Sequence, residues 1–105
     1  MTVVSSVVTI LCMIKTFANK ETAAAFQGLP VKRFPSDIRV RIRSKLQQLH
    51  AVALLDDLRV PPGNRLESLK GDRIGQYSIR VNDQWRICFI WRDGNAYDVE
   101  IIDYH

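Results

Sequence analysis

The last three residues, Asp103, Tyr104 and His105, are all able to hold or move protons, and they close a strand of alternating apolar residues at the point where many chains fray. Two upstream segments bring cations toward them: Lys70 and Arg73 within Leu69-Lys70-Gly71-Asp72-Arg73, and Arg86 within Gln84-Trp85-Arg86-Ile87. An imidazole beside a phenol, close to an ammonium and a guanidinium, is the inventory for breaking a phosphodiester. A ribonuclease that works without a metal uses the substrate's own 2′-hydroxyl as nucleophile. The protein then supplies a base, an acid and cations that steady the crowded phosphorane. The ordinary pKa of an imidazole, about 6.5, suits either proton-transfer role near neutrality. Arg86 offers a planar two-donor fork and Lys70 a more mobile point charge. Each element also has a bland reading: Lys-Gly-Asp is a common tight turn, a strand arginine often pairs with a carboxylate, and Asp103 could simply pin the last strand.

The elements that must position these groups follow from spacing. Residues 14–17 alternate as a short half-buried strand, and Asn19 can cap a brief helix through Glu21 to Phe26 that Gly28 and Pro30 end. Pro35-Ser36-Asp37 reads as a helix start with Ser36 as the cap, and Ile38, Ile42, Leu46, Leu49 and Ala53 form one buried stripe of a long helix. Arg39, Arg41, Arg43 and Lys45 point elsewhere, as a grip for a phosphate backbone or as an ordinary solvated face. His50 reads as a partly exposed helix residue without catalytic duty. Residues 60–65, Val-Pro-Pro-Gly-Asn-Arg, cannot continue the helix and read as a surface loop. A meander of strands at 66–69, 77–81, 85–91 and 97–103 follows, with turn formers at 82–84 and 93–95. In its third strand Trp85, Ile87, Phe89 and Trp91 share one face and Arg86, Cys88, Ile90 and Arg92 the other, the tryptophans reading as core or as base-stacking platforms.

A chain of 105 residues, 47% apolar and 25% charged, has room for one domain and one core. The formal charge is +4, but all 15 bases lie in residues 1–92 with only seven of the acids, a surplus of eight that favours a polyanion such as RNA or DNA. Cys12 and Cys88 lack the spacing of a disulfide framework or metal site and fit a reducing cytoplasm. The apolar stretch before Lys15 is too short to span a bilayer and lacks the basic start of a secretory signal. Met13 could be the physiological start, with residues 1–12 an extension. No zinc spacing, phosphate-cradling loop or nucleophile elbow is present, so no metal or other cofactor is expected.

In combination the segments resemble the HigB-type toxins of the RelE/ParE toxin–antitoxin superfamily. The resemblance rests on Met13-Ile14-Lys15-Thr16-Phe17, the Leu69 to Arg73 segment, Tyr77-Ser78-Ile79-Arg80-Val81-Asn82-Asp83-Gln84-Trp85-Arg86-Ile87 and the closing Asp103-Tyr104-His105, and it spans residues 13–105 as a single domain. It implies an α/β (α+β) fold, with two N-terminal helices on a small antiparallel-rich sheet. It implies an endonuclease that cuts mRNA in the A site of the 70S ribosome in the bacterial cytoplasm. Lys70, Arg86, Asp103, Tyr104 and His105 carry over as active residues, and Arg73, Arg80, Arg39 and Arg43 are the cations expected to contact RNA. The implied partner is a helix-turn-helix antitoxin of the HigA type, in a toxin–antitoxin hetero-oligomer. Where family members often carry a histidine three residues before the lysine, this chain has Glu67. A non-nucleolytic gyrase poison of the ParE type and a plain RNA- or ribosome-binding module are the rival readings, and the terminal imidazole favours RNA cutting over the former.

Overall fold

The computed structural model describes residues 13–104; the expected extension 1–12, Cys12 and His105 lie outside the described residues. Two helices, α1 (Lys20–Phe26) and α2 (Arg39–Ala51), precede a four-stranded antiparallel sheet of β1 (Glu67–Ser68), β2 (Gln76–Arg80), β3 (Trp85–Arg92) and β4 (Asn95–Asp103), in spatial order β1-β2-β3-β4. The expected α+β architecture is the observed one. Asn19 caps α1 as its position suggests, its side chain accepting from the Thr22 amide at 2.8 Å. The start of α2 differs from expectation. Residues Ser36–Ile38 form a tight 3-10 turn closed by the Ile38 amide on the Pro35 carbonyl, so Ser36 lies inside the first turn rather than ahead of it and makes no cap bond.

The apolar stripe of α2 is buried at Ile38, Ile42, Leu46 and Leu49, but the helix stops at Ala51 and Ala53 lies beyond it. That stripe meets the inner face of the sheet, where Ile79, Val81, Trp85, Ile87, Phe89, Val99 and Ile101 complete the core. Trp85 lies against the edge of Phe34, buried, and base stacking is closed to it; Trp91 packs on Phe89. Thr22 ties α1 to the sheet by accepting from the Ile101 amide at 3.1 Å.

Residues 14–17 do not form a free edge. They run parallel to β4, with Ile14 bridging Ala96 and Phe17 bridging Val99. There β4 carries a bulge: between Cys88/Glu100 and Ile90/Tyr97 the register slips by one, and Asp98 takes up the extra residue at φ 51°. The slip inverts the alternation, so that Ala96, Val99 and Ile101 are all buried although 96 and 99 differ in parity. Thr16 Oγ1 holds the bulge open by accepting from the Asp98 amide at 2.8 Å. His50 has a structural role here, its Nδ1 accepting from the Ile14 amide at 3.1 Å while its ring meets the edge of Phe26.

Candidate active site

The outer face of the sheet, turned away from the helices, carries Ser78, Arg80, Arg86, Cys88, Glu100 and Ile102, as the register Arg80↔Arg86↔Ile102 and Ser78↔Cys88↔Glu100 requires. An outer face normally meets water. Here Arg86 and Cys88 are nevertheless buried; β1 extends the sheet along the β2 edge, and the Arg65 carbonyl just ahead of it reaches the Arg86 guanidinium.

Arg86 is 6% exposed and is held as a rigid body. Its Nε donates to Ser78 Oγ at 2.8 Å, and its Nη2 donates to the Arg65 carbonyl at 2.8 Å and the Ser78 carbonyl at 3.3 Å. Glu67 stands 3.5 Å from the same Nη2, and the Tyr104 ring faces the guanidinium at 5.5 Å. Among the described residues no hydrogen bond engages Nη1. A buried arginine oriented by three acceptors, one half-exposed carboxylate and one aromatic ring has lost its rotamer freedom before any ligand arrives.

The Arg65 carbonyl is aimed by a knot in the preceding loop. Asn64, fully buried, donates from Nδ2 to Gln48 Oε1 and to the Leu58 and Val60 carbonyls, and accepts from Lys45 Nζ. Arg65 then turns out of it in the left-handed region at φ 45°. Lys45 is thus drawn off the helix surface and into the knot, and burial, with Arg41 nearby, lowers its pKa.

Beside Arg86 lies an open cleft of about 700 Å³, lined by Glu67, Ser68, Leu69, Lys70, Arg73, Ile102 and Tyr104. Lys70 is exposed and precedes the 3-10 turn Gly71–Arg73, in which Gly71 sits at φ 64°. Lys-Gly-Asp is therefore both a tight turn and the carrier of a cleft cation. Arg73 is anchored by Glu100 at 3.2 Å and Gln76 at 3.0 Å. Lys70, Arg73 and Tyr104 thus line one opening, and Arg86 sits behind it against two of its lining residues, Tyr104 and Glu67.

Other expected residues stand apart. Asp103 registers with Trp85 on the helix side of the sheet and accepts from Gln84 Nε2 at 3.1 Å, so alternation turns it away from the cleft that Tyr104 lines. Arg80 shares the Arg86 face but is paired with Asp83 across the hairpin turn. Arg39 and Arg43 belong to the helical layer on the other side of the core, where their Nε atoms donate to the Phe34 and Phe26 carbonyls at 2.9 and 3.3 Å. Sequence reasoning missed the parts that hold Arg86: Ser78, the Arg65 carbonyl and the pairing with Glu67. Only strand register could have brought them together. Among the described residues no cluster of His, Cys, Asp and Glu is arranged to hold a metal, and no helix is long and apolar enough to cross a membrane. Cys88 is a buried free thiol whose pKa is pushed up to about 11, chiefly by burial.

The chain has relatives among known proteins. The family model for the RelE-like toxin of the type II toxin–antitoxin system HigB matches residues 15–105. The chain belongs to that family. It is 34% identical over 93 residues to the Endoribonuclease HigB of Proteus vulgaris, covering 89% of this chain and 100% of that protein. It is 50% identical over 62 residues to Toxin HigB-1 of Vibrio cholerae, covering 59% of this chain and 65% of that toxin's length. Among solved structures, the YoeB-YefM complex from Staphylococcus aureus matches with a TM-score of 0.52 at 16% identity, covering 90% of this chain and 97% of that chain. The YoeB/ParE toxin from Agrobacterium tumefaciens matches at 0.51 and 17%, covering 87% and 99%. At such identities the two structures speak for the fold of this HigB-family toxin alone, and they bear out the mixed architecture with its antiparallel sheet.

Proposed function

We propose that this HigB-family toxin is an endoribonuclease that cuts mRNA in the A site of the 70S ribosome, in the bacterial cytoplasm, by attack of the substrate's 2′-hydroxyl. The observation that carries the reading is the meeting of Lys70, Arg73 and Tyr104 in the lining of one open cleft, with the fixed Arg86 guanidinium against the Tyr104 ring. The name of the full-length Proteus relative supports the reaction class. In this reading the 2′-oxygen attacks the adjacent phosphorus, the 5′-oxygen leaves, and the products are a 2′,3′-cyclic phosphate and a 5′-hydroxyl. Arg86 presents Nη1 to a non-bridging oxygen from a fixed position, which is where a pre-oriented donor contributes most to the charge of the phosphorane. Lys70, exposed and mobile, follows the phosphate as it changes shape. Tyr104 offers its ring to a base and keeps Arg86 in place. His105 transfers the proton at one of the two oxygens. Asp103 acts on the outside of this arrangement, by tethering the Gln84 turn and so the end of β4.

Arg73 and Arg80, on the same face, lead the RNA backbone toward the cleft; Arg39 and Arg43 lie off this path. The partner is an antitoxin of the helix-turn-helix, HigA type, bound in a hetero-oligomer, and residues 13–105 act as a single toxin domain. Removing His105 tests the mechanism. The truncated chain should unfold at the parental temperature yet cleave ribosome-bound mRNA at least about 10²-fold more slowly, in keeping with the loss of a proton-transfer group. Cleavage at the parental rate would remove the terminus from the mechanism, and double-strand DNA breaks without mRNA cleavage on expression would replace the reading with gyrase poisoning.

A further inference from the structure

Arg65 is an arginine where the backbone favours glycine. It ends the 3-10 turn Pro62–Asn64, its amide donating to the Pro62 carbonyl at 3.1 Å, and it does so in the left-handed region at φ 45°. A Cβ in that region crowds the neighbouring backbone, whereas glycine takes the same turn without strain. The bonds of buried Asn64 just ahead hold the conformation in place. The turn itself gives no reason for an arginine. The bond to Arg86 Nη2 at 2.8 Å gives none either, since it comes from the Arg65 carbonyl and any residue in this conformation would supply it. What glycine would lack is the side chain, and strained residues that their surroundings hold in place cluster at functional sites.

That side chain is exposed, and among the described residues no hydrogen bond or ion pair engages it. The other arginines near the cleft are committed. Arg73 is paired with Glu100 and Arg80 with Asp83, while Arg86 is buried against Ser78, the Arg65 carbonyl and Glu67. Arg65 lies two residues before Glu67 and Lys70 three after it, and neither has a carboxylate partner among the described residues. Glu67 lines the cleft and lies against Arg86, so uncommitted positive charge stands on both sides of the fixed guanidinium along the chain. A second guanidinium is repelled by the first, so the Arg65 cation takes a different phosphate from the one that Arg86 meets.

We infer that Arg65 binds an RNA phosphate at the rim of the cleft, beside the one that is cut, and sets affinity and register there. The inference rests on the endoribonuclease reading above. Arg65→Gly separates the side chain from the turn, because glycine keeps the φ of 45° and the carbonyl bond, and its urea midpoint should stay at the parental value. On ribosomes carrying mRNA, the toxin concentration that gives half-maximal cleavage should rise by about fivefold or more, as loss of a charge-assisted phosphate contact implies. The slope of log affinity against log salt should shrink by about 0.7, the counterion share of one phosphate on a single strand. Arg65→Lys and Arg65→Gln differ in charge at the same strained backbone, and only the first should keep the parental slope. Binding to ribosomes without mRNA identifies the phosphate: a loss confined to programmed ribosomes assigns it to the message, and an equal loss on vacant ones assigns it to ribosomal RNA at the same rim. An unchanged salt slope in Arg65→Gly and Arg65→Gln, whatever the rate, marks a purely structural residue and overturns the inference while leaving the endoribonuclease reading intact. Failure of the parental toxin to cut ribosome-bound mRNA overturns both.

Discussion

Arg86 on the sheet and Arg43 on α2 carry the same guanidinium and are used differently. Arg86 is buried, with Nε and Nη2 committed to Ser78 and the Arg65 carbonyl and its guanidinium facing the Tyr104 ring. Arg43 is exposed, gives one bond to the Phe26 carbonyl and otherwise stands in solvent over an apolar groove. The difference is one of reorganisation. A donor that is already desolvated and oriented loses nothing further when a phosphorane forms, so its strength is greatest in the transition state. A solvated arginine gives up hydration on any binding and suits recognition of a partner, where charge sets encounter and register. Formal charge cannot separate the two, since both count as +1.

The sharpest way to break this comparison is to keep both charges and remove both forks. Arg86→Lys should lower single-turnover cleavage on ribosomes by about 10²-fold or more, as loss of one pre-oriented donor does, while Arg43→Lys should stay within about twofold. Equal losses would mean that net charge, not orientation, does the work.

A smaller effect is expected one step back, at the knot that aims the Arg65 carbonyl. Asn64→Ala removes the bonds its side chain makes to the Leu58 carbonyl, to Gln48 and to Lys45, and should destabilise the fold by about 1–3 kcal/mol in urea titrations. Cleavage should fall as well at temperatures where the variant is still folded, because Arg86 loses its support. A stable, fully active Asn64→Ala would detach the loop from the site.

The smallest effect concerns Cys88, which lies under the same sheet face as Arg86. Burial raises its pKa from 9.0 to about 11 in the folded chain. Between those values the unfolded chain has lost the thiol proton and the folded chain has kept it, so stability falls as pH rises through this range. Replacing Cys88 with Ala should flatten that part of the stability profile, seen as a smaller drop in midpoint between pH 9 and 11. An unchanged slope would show that the outer face is wetter than its packing implies.

Local chemistry determined much of this molecule in advance. The cap at Asn19, the stripe from Ile38 to Leu49, the hairpin turns and the three separate cation-bearing segments all follow from side chains acting on their own neighbours, and such short-range preferences are written in spacing. What the residues of one strand face across space is not. Burial of Arg86, its pairing with Glu67, the turning away of Asp103 and the separation of Arg86 from the arginines of α2 depend on strand register, on the bulge at Asp98 and on the loop that brings the Arg65 carbonyl to the outer face. Register is settled by the sum of many weak long-range contacts, and one residue of slip exchanges the two faces, so only the assembled tertiary structure decides which charges meet.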